Sequence, residues 1–430
     1  MLFADIDILD EELEHRQHCY VGIQGEKISY IGTQPPQDDH GEVYDGRGKL
    51  LMTGLFNAHS HSAMTLMRGY GEGMALSDWL QKRIFPFEAK LDREAIYNGT
   101  LLAAAEMLRF GIVSTTDMYF DAEANARAAL DSGVKMNFSV ATTCFDGRGA
   151  RELPAYREVM EALPRWHGAG DGRVRLDLSI HGEYTSTPRV VEDMAQIARE
   201  TGLRMHLHLS ETQAEQEACK ARHGGKTPAR YFYDAGVFDA PTTAAHCVWL
   251  EGEDFDLLRE KDVTAVCCPV SNLKLASGFC PAPELLRRGV RVALGTDGVA
   301  SNNNLDLMEE IKIFATLFKA TTGDPTAITA RQALYAATRA GALAQGREDC
   351  GLLKAGGRAD VIVLDLRQRP YLRPCHDMVH NVVFSALGTD VCLTMVDGRV
   401  LYRDGAYTTI DLERTVRNAE ASVEKILGQL

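Results

Sequence analysis

The stretch from Leu50 to His61, LLMTGLFNAHSH, decides the predicted fold. It is an apolar run that breaks at Gly54 and ends in a His-x-His pair, His59 and His61. Alternate side chains of a strand face the same side, so both imidazoles of such a pair can point into one pocket. Two imidazoles held in this way are good ligands for a divalent transition metal. The stretch therefore predicts a buried strand that carries candidate metal ligands at its end.

Seven more strand-like runs follow, and helix-like segments separate many of them. The runs are IVSTTDMYF (112–120), VKMNFSVATT (134–143), VRLDLSIHGEY (174–184), LRMHLHLSET (203–212), TTAAHCVWL (242–250), VTAVCCPVSN (263–272) and VRVALGTDGVA (290–300). The helix-like segments include residues 94–111, 121–133, 190–202 and 304–320, and several end at a glycine, as a helix terminus should. Eight strands with intervening helices indicate a (β/α)8 barrel. The alternative, an open doubly wound sheet, lacks its glycine-rich phosphate fingerprint after the first strand.

Both ends of the chain look different from the middle. Residues 1–50 predict short strands joined by turns, and a similar texture returns in GGRADVIVLDL (356–366) and VVFSALGTDVCLTMVDGRVLYRDG (382–405). We therefore expect residues 1–50 and 351–430 to form a composite β-sandwich domain beside a barrel of residues 51–350. The last segment, 411–430, is amphipathic and predicts a terminal helix.

Composition limits the classes of function. The chain has 430 residues and a formal net charge of −14, which argues against a nucleic-acid or anionic-membrane surface. Its ten cysteines show no CxxC motif and no regular spacing, so a disulfide framework is not expected. The acidic N-terminus does not resemble a secretory signal, and no apolar run reaches the roughly 20 residues that span a bilayer. We expect a cytoplasmic protein.

Polar residues at the predicted strand ends form one constellation, since active sites of such barrels lie at the carboxyl ends of the strands. Its members are His59, His61, His181, His206, His208, Glu211, His246 and Asp297. Each has an ordinary alternative: a hydrogen-bonded structural histidine or, for Asp297 before Gly298, a turn former. His206 and His208 face the same side, so either could bind metal, and the position of His208 nearer the strand end favours it.

These motifs carry a resemblance to a known family. HSHSAMTLMRGYGEGMALSDWLQKRIFPFEAK, HLHLSET, AAHCVWL and LGTDGVASNNNLD resemble the amidohydrolase superfamily, in particular its branch of S-adenosylhomocysteine, 5′-methylthioadenosine and 5′-deoxyadenosine deaminases. The similarity runs from about residue 20 to about residue 400, and the motifs follow the family's order. The resemblance implies a distorted (β/α)8 barrel with a β-sandwich from both termini, as the pattern predicts.

The resemblance also implies the metal site and the reaction. His59, His61, His208 and Asp297 would hold one zinc, which supplies hydroxide near neutral pH. Asp297 would take the proton of the attacking water, and Glu211 would carry it to the ring nitrogen and the leaving amine. His246 would hydrogen-bond the attacking water. The implied product is the inosine-type nucleoside plus ammonia.

Two further details follow from the same resemblance. Two-metal relatives bridge their metals with a carboxylated lysine on strand four, and VRLDLSIHGEY has no lysine, so one metal is expected. The ligand types suit iron or manganese as well as zinc. Among substrate contacts, Glu88 matches the glutamate that accepts two ribose hydroxyls, and His181 matches another contact. Arg148 is the best match for an arginine that reaches the 5′ substituent, with Arg151 and Arg157 as alternatives.

Two other functions stay open at this point. One is a deaminase or chlorohydrolase of another heterocycle, such as guanine, 8-oxoguanine or an s-triazine, since those relatives share the metal motifs. The other is a non-catalytic scaffold built on the same barrel. Every expected ligand position is filled in this sequence, which argues against that alternative. The expected partners are a small nucleoside and further copies of the chain in a homo-oligomer, with no nucleic acid or membrane. The sequence does not choose among the 5′ substituents.

Overall fold

The structure is a computed structural model and describes residues 1–74 and 76–430. Its N-terminal strands belong to one mixed sheet. They are β1 (Leu2–Leu9), β2 (His15–Gln24), β3 (Lys27–Gly32), β4 (Val43–Asp45) and β5 (Lys49–Thr53). Strand β5 ends one residue before Gly54, where a Cβ atom would overlap the side chain of Val113. The glycine therefore lets the chain leave this sheet and pass directly into the barrel.

The barrel consists of eight parallel strands in chain order. They are β6 (Leu55–Ser60), β7 (Ile112–Tyr119), β8 (Lys135–Val140), β9 (Val174–Ile180), β10 (Met205–Leu209), β11 (Thr242–His246), β12 (Thr264–Cys267) and β13 (Val292–Leu294). The amide of Asp297, just after β13, donates to the carbonyl of His59 in β6 at 3.0 Å, so the last strand meets the first at its carboxyl end. This contact brings the first and last predicted ligands together.

Helices cover the barrel and follow most of its strands. The longer ones are Arg93–Arg109, Ala122–Ser132, Pro154–Trp166, Pro188–Thr201, Gln213–Arg222, Leu307–Thr322 and Ala330–Ala337. Shorter helices are Leu76–Trp79, Phe85–Glu88, Pro228–Asp234, Asp254–Glu260, Pro269–Lys274, Ala282–Arg287 and Arg339–Ala344. Asp92, Thr187 and Thr212 each accept a backbone N–H at a helix N-terminus, which stabilises the first turn. Gly133 and Gly202 end two helices in the left-handed conformation, as the sequence predicts.

The C-terminal strands complete the mixed sheet. They are β14 (Val361–Asp365), β15 (Val391–Val396), β16 (Arg399–Arg403) and β17 (Ala406–Tyr407), and β14 pairs antiparallel with β5. Strands from both termini therefore share one nine-stranded sheet, with its own core of residues such as Phe3, Val21 and Val363. The predicted class, a distorted (β/α)8 barrel beside β-structure built from both termini, is confirmed.

Two details differ from or extend the sequence prediction. Residues 382–384, predicted as strand, lie in the helix Met378–Phe384, because Asp377 caps its N-terminus and Val379, Val382 and Val383 share a buried face at helical spacing. The terminal helix spans Leu412–Leu427, as predicted. The domain limits 1–50, 351–430 and 51–350 stay a prediction. None of the helices in the described part of the chain combines the length and apolar character that a membrane crossing needs.

Candidate active site

A cavity of about 250 Å³ opens at the carboxyl ends of the barrel strands. Most of the predicted site residues line it: His61, Glu88, His181, His208, Glu211, His246 and Asp297. His59 lies beneath this lining, fully buried on β6. The carboxyl ends of the barrel strands therefore bring all four predicted metal ligands together with Glu211 and His246, as expected for a barrel of this kind.

The four predicted ligands face one another through their coordinating atoms. Asp297 Oδ1 lies 3.4 Å from His59 Nε2 and 3.2 Å from His61 Nε2, and His61 Nε2 lies 3.4 Å from His208 Nε2. The ligand atoms of His59, His61 and His208 all lie within 4.8 Å of one another. His59 Nε2 is buried without a well-formed hydrogen bond in the described structure. Three converging imidazoles and a carboxylate fit the ligand set of a catalytic divalent metal.

Each of these histidines is held through its other ring nitrogen. His61 Nδ1 lies 2.6 Å from the carbonyl oxygen of Met118, and His208 Nδ1 lies 2.6 Å from that of His181. A carbonyl oxygen only accepts, so both rings carry a proton on Nδ1 and turn their Nε2 toward the cavity. His59 Nδ1 lies 2.9 Å from His206 Nε2. Such outer contacts fix ring orientation and tautomer, which a metal site requires.

The pair His206 and His208, left open by the sequence, separates clearly here. His208 lines the cavity, whereas His206 is buried beneath it and contacts His59. Burial holds the pKa of His206 well below the usual range, so it stays neutral and can pair with the neighbouring ring. His206 is therefore a positioning residue for His59.

Asp297 is oriented from several sides. Ser271 and Ser301 donate to its Oδ2 at 2.6 and 2.9 Å, and the amide of Gly298 donates to its Oδ1 at 2.8 Å. Burial acts to raise its pKa, but the imidazoles of His59 and His61 outweigh burial and hold the pKa well below its usual range. Asp297 is thus an ionised carboxylate in a buried site, ready to pair with a cation.

Glu211 and His246 stand next to this group. Burial raises the pKa of Glu211, which favours its protonated form, and Ser277 Oγ donates to it at 3.4 Å. His246 Nε2 lies 3.9 Å from Glu211 Oε2, while its Nδ1 lies 3.0 Å from Asn272 Oδ1. A buried carboxyl group that can hold a proton beside a fixed imidazole suits proton transfer.

The backbone is strained at three of these strand ends. Ser210, His246 and Asp297 have φ angles of 50°, 70° and 60°, a region that residues other than glycine rarely adopt. Strained residues of this kind concentrate at functional sites, because the surrounding structure must enforce them. The sequence gives no sign of this strain.

Glu88 and His181 line another part of the cavity. Burial raises the pKa of Glu88 to about 7, although Tyr119 and His61 act against this shift. Burial and the neighbouring histidines lower the pKa of His181 to about 3, so this ring is neutral at pH 7. Its Nδ1 lies 3.1 Å from Thr185 Oγ1.

The structure does not bring the predicted arginine into the site. The guanidinium of Arg148 pairs with Asp146 in its own loop at 2.9 Å, and Arg148 is absent from the cavity lining. The two alternatives are also engaged elsewhere. Arg151 pairs with Glu200 at 2.6 Å, and Arg157 donates to the carbonyl of Glu152 at 2.8 Å.

Sequence reasoning missed several residues that support the site. Ser271 and Asn272 follow the seventh barrel strand, so the strand-end rule could have found them. Asp117 lies inside β7, where it accepts the amide of Ser62 at 2.8 Å next to His61. The presence of a carboxylate inside a strand-like run is the feature of the sequence that could have identified Asp117. The contact of Ser301 with Asp297 depends on a loop that no pattern describes.

Comparison with known proteins agrees with this geometry. The model of the amidohydrolase family matches residues 50–401. The chain belongs to the amidohydrolase family. A 5′-deoxyadenosine deaminase from Methanosarcina acetivorans is 41% identical over 423 residues, covering 98% of this chain and 96% of the relative. A 5-methylthioadenosine/S-adenosylhomocysteine deaminase from Pelotomaculum thermopropionicum is 39% identical over 412 residues, covering 95% and 94%.

A solved structure resembles the amidohydrolase over nearly its whole length. It is an adenosine deaminase from Xanthomonas campestris with bound zinc, with a TM-score of 0.92, 30% sequence identity and coverage of 99% of this chain and 98% of that one. The family resemblance stated from the motifs is thereby confirmed. The amidohydrolase is a hydrolytic enzyme with a metal-binding group at its centre, and the non-catalytic scaffold is set aside.

Proposed function

We propose that this amidohydrolase is a zinc-dependent deaminase of adenine nucleosides with a modified 5′ position. It would release ammonia and leave the inosine-type nucleoside. The observation that carries the proposal is the cluster of His59, His61, His208 and Asp297 at the base of one cavity that Glu211 and Glu88 also line. The names of the similar deaminases agree with this reaction.

The four ligand candidates fit the proposed metal through their chemistry. The Nδ1 contacts of the three histidines leave Nε2 of His59 and His61 directed toward Asp297, and Nε2 of His208 directed toward His61 Nε2. When bound there, zinc would supply a hydroxide nucleophile at neutral pH. The donor set of nitrogen and oxygen also suits iron or manganese, so zinc is part of the proposal.

The chain's own residues would move the protons. Asp297 accepts the proton of the attacking water as the new C–O bond forms at C6 of the adenine ring. Glu211 donates its proton to ring nitrogen N1. The proton that Asp297 took from the water then passes to the amine, the C6 hydroxyl returns its proton to Glu211, and the C6–N bond breaks so that ammonia leaves. The raised pKa of Glu211 suits this role, because the group must hold a proton before it delivers one. His246, whose Nε2 lies 3.9 Å from Glu211 Oε2, would hydrogen-bond the attacking oxygen.

Glu88 and His181 would bind the nucleoside. An ionised carboxylate can accept from both ribose hydroxyls, and such charge-assisted hydrogen bonds are about twice as strong as neutral ones. Glu88 would therefore favour binding of a nucleoside over binding of a free base, which has no ribose hydroxyls. His181 is neutral and offers a ring nitrogen to the substrate.

The test is ammonia release by zinc-loaded protein from 5′-deoxyadenosine, adenosine, adenine, guanine and 8-oxoguanine. We expect turnover of the nucleosides and not of the free bases. Glu88→Gln should raise KM for the nucleosides about tenfold or more, because the ionised acceptor is lost. Asp78→Asn is the matched control, since Asp78 lies in the neighbouring helix and pairs on the surface with Lys82. Turnover of free bases alone would contradict the nucleoside assignment.

A further inference from the structure

The cavity beyond the catalytic group is apolar. Besides the histidines and carboxylates already described, its walls carry many large apolar side chains, among them Trp79, Leu80, Ile84, Phe85, Phe120 and Phe145. Among the residues that the structure describes, no lysine or arginine lines it. Apart from the metal cluster, its charged groups are the carboxylates Glu88 and Glu211. A ligand that extends past the ribose therefore meets apolar surface without a cation.

The arginines nearest in sequence do not supply that cation. Arg148 lies three residues after Phe145, yet its Nε lies 3.0 Å from both carboxylate oxygens of Asp146. Asp146 also accepts the backbone amide of Arg148 at 3.0 Å, which closes a local ring of contacts. The guanidinium of Arg148 is therefore directed at Asp146 and not into the cavity. Arg151 and Arg157 are held by Glu200 and by the carbonyl of Glu152.

Phe145 is the exposed part of this apolar wall. Its side chain is 75% exposed although it lines the cavity, so its ring offers apolar surface that a bound ligand can cover. Phe85 lines the same cavity and is 40% exposed. Covering exposed aromatic surface with an apolar group is favourable in proportion to the area removed from water. Placing a carboxylate against it without a partner is costly.

We propose that this deaminase selects adenine nucleosides with an uncharged, apolar 5′ substituent, such as 5′-deoxyadenosine and 5′-methylthioadenosine, over S-adenosylhomocysteine with its charged amino acid. The inference rests on the proposed function and narrows its substrate class. The methylthio group would pack on the aromatic wall, whereas the α-carboxylate of the homocysteine moiety would lose water without gaining a cation.

The experiment compares kcat/KM for three thioethers on the zinc-loaded enzyme. They are 5′-methylthioadenosine, S-adenosylhomocysteine and 5′-butylthioadenosine, and the third has the carbon chain of homocysteine without its charges. We expect similar values for the two uncharged thioethers and a value about tenfold or more lower for S-adenosylhomocysteine. Adenosine is measured alongside as a nucleoside without a thioether.

Variants at the wall sharpen this comparison. Phe145→Ala should lower kcat/KM for 5′-methylthioadenosine about three- to tenfold through lost apolar contact. Phe279→Ala is the matched control, because Phe279 is an exposed phenylalanine that does not line the cavity. Phe145→Lys should raise the ratio of S-adenosylhomocysteine to 5′-methylthioadenosine turnover about tenfold, since it offers the carboxylate a partner.

Three results would overturn the inference, and they are distinguishable. Equal or faster turnover of S-adenosylhomocysteine would show that a cation reaches its carboxylate, and a selective loss in Arg148→Ala would identify that cation. Low values for both long thioethers would show selection by size instead of charge. Failure of every nucleoside, adenosine included, would overturn the proposed function itself.

Discussion

Two buried polar clusters lie at opposite ends of the barrel, and they differ in how their charged groups are paired. At the amino ends of β8 and β9, Lys135 Nζ lies 2.7 Å from Asp397 and also contacts Asp360, and Arg173 pairs with Asp397 at 2.9 Å. At the carboxyl ends, imidazole nitrogens of the active site instead face one another around Asp297.

The first cluster joins the barrel to the mixed sheet. Asp360 precedes β14 and Asp397 follows β15, whereas Lys135 opens β8. Opposite charges meet there, so neither bears the full cost of burial. The active site leaves His59 Nε2 buried without a hydrogen bond from the described residues. Buried charge that is paired within the chain thus stabilises the fold, whereas buried charge left for a ligand carries function.

The largest expected effect separates catalysis from stability at the active site. Glu211→Gln should lower kcat about a thousandfold, because the proton carrier is lost. The free energy of unfolding of the metal-free protein should change by less than about 1 kcal/mol, since the buried glutamate has few strong contacts and a neutral amide fills the same space. Steady-state kinetics and urea unfolding measure both quantities. A variant that keeps full activity would remove Glu211 from the mechanism.

Lys135→Met should lower the stability of the protein and leave its catalytic activity unchanged. Removing one partner of a buried charge cluster costs about 3–5 kcal/mol of unfolding free energy, because Asp360 and Asp397 lose their shared cation. The kcat of the folded variant should stay at the wild-type value, since Lys135 lies at the other end of the barrel. Arg417→Ala, which removes a surface pair with Glu413 on the terminal helix, is the control and should cost less than about 1 kcal/mol. Wild-type stability in Lys135→Met would contradict the comparison.

A smaller effect is expected at His206, which contacts the predicted metal ligand His59. His206→Ala should weaken zinc binding about 10- to 100-fold, because His59 loses the contact that orients its ring. Competition with a chromophoric chelator measures the affinity, and kcat at saturating zinc separates affinity from catalysis. Unchanged zinc affinity would show that the His206–His59 contact is only structural.

The smallest predicted effect is on pH dependence. Burial raises the pKa of Glu88 to about 7, so this group is protonated below that pH and ionised above it. The ionised form accepts the ribose hydroxyls, and kcat/KM for a nucleoside should therefore rise about tenfold from pH 6 to pH 8. Tyr119 and His61 are the titratable groups whose influence reaches Glu88. The rise should flatten in Glu88→Gln, and an unchanged profile in that variant would assign the titration to another group.

Much of the barrel and its catalytic centre could be predicted because both follow repeating rules. Strand-like runs alternate with helices, and polar residues collect where parallel strands end. These two rules predict from the sequence alone that His59, His61, His208, Glu211, His246 and Asp297 lie together. The break at Gly54 was visible as well, although only the structure shows that it divides two sheets.

Features that depend on loops and on contacts between distant segments were out of reach. Arg148 carried the right residue type in a plausible segment, but its pairing with Asp146 is set by a loop conformation. The partnership of His206 with His59 joins residues 147 positions apart. The run 382–384 consists of β-branched and aromatic residues, which favour a strand, yet burial of one helical face decided its conformation.

In the proposed mechanism one metal ion, held by the His59, His61, His208 and Asp297 cluster, activates deamination. The most direct test is a titration of metal-stripped protein with zinc while ammonia release from 5′-deoxyadenosine is measured. We expect a rate that rises linearly and reaches its plateau at one zinc per chain, with no such rise in His61→Ala over the same range. A plateau at two zinc ions per chain, or activity without added metal, would contradict it.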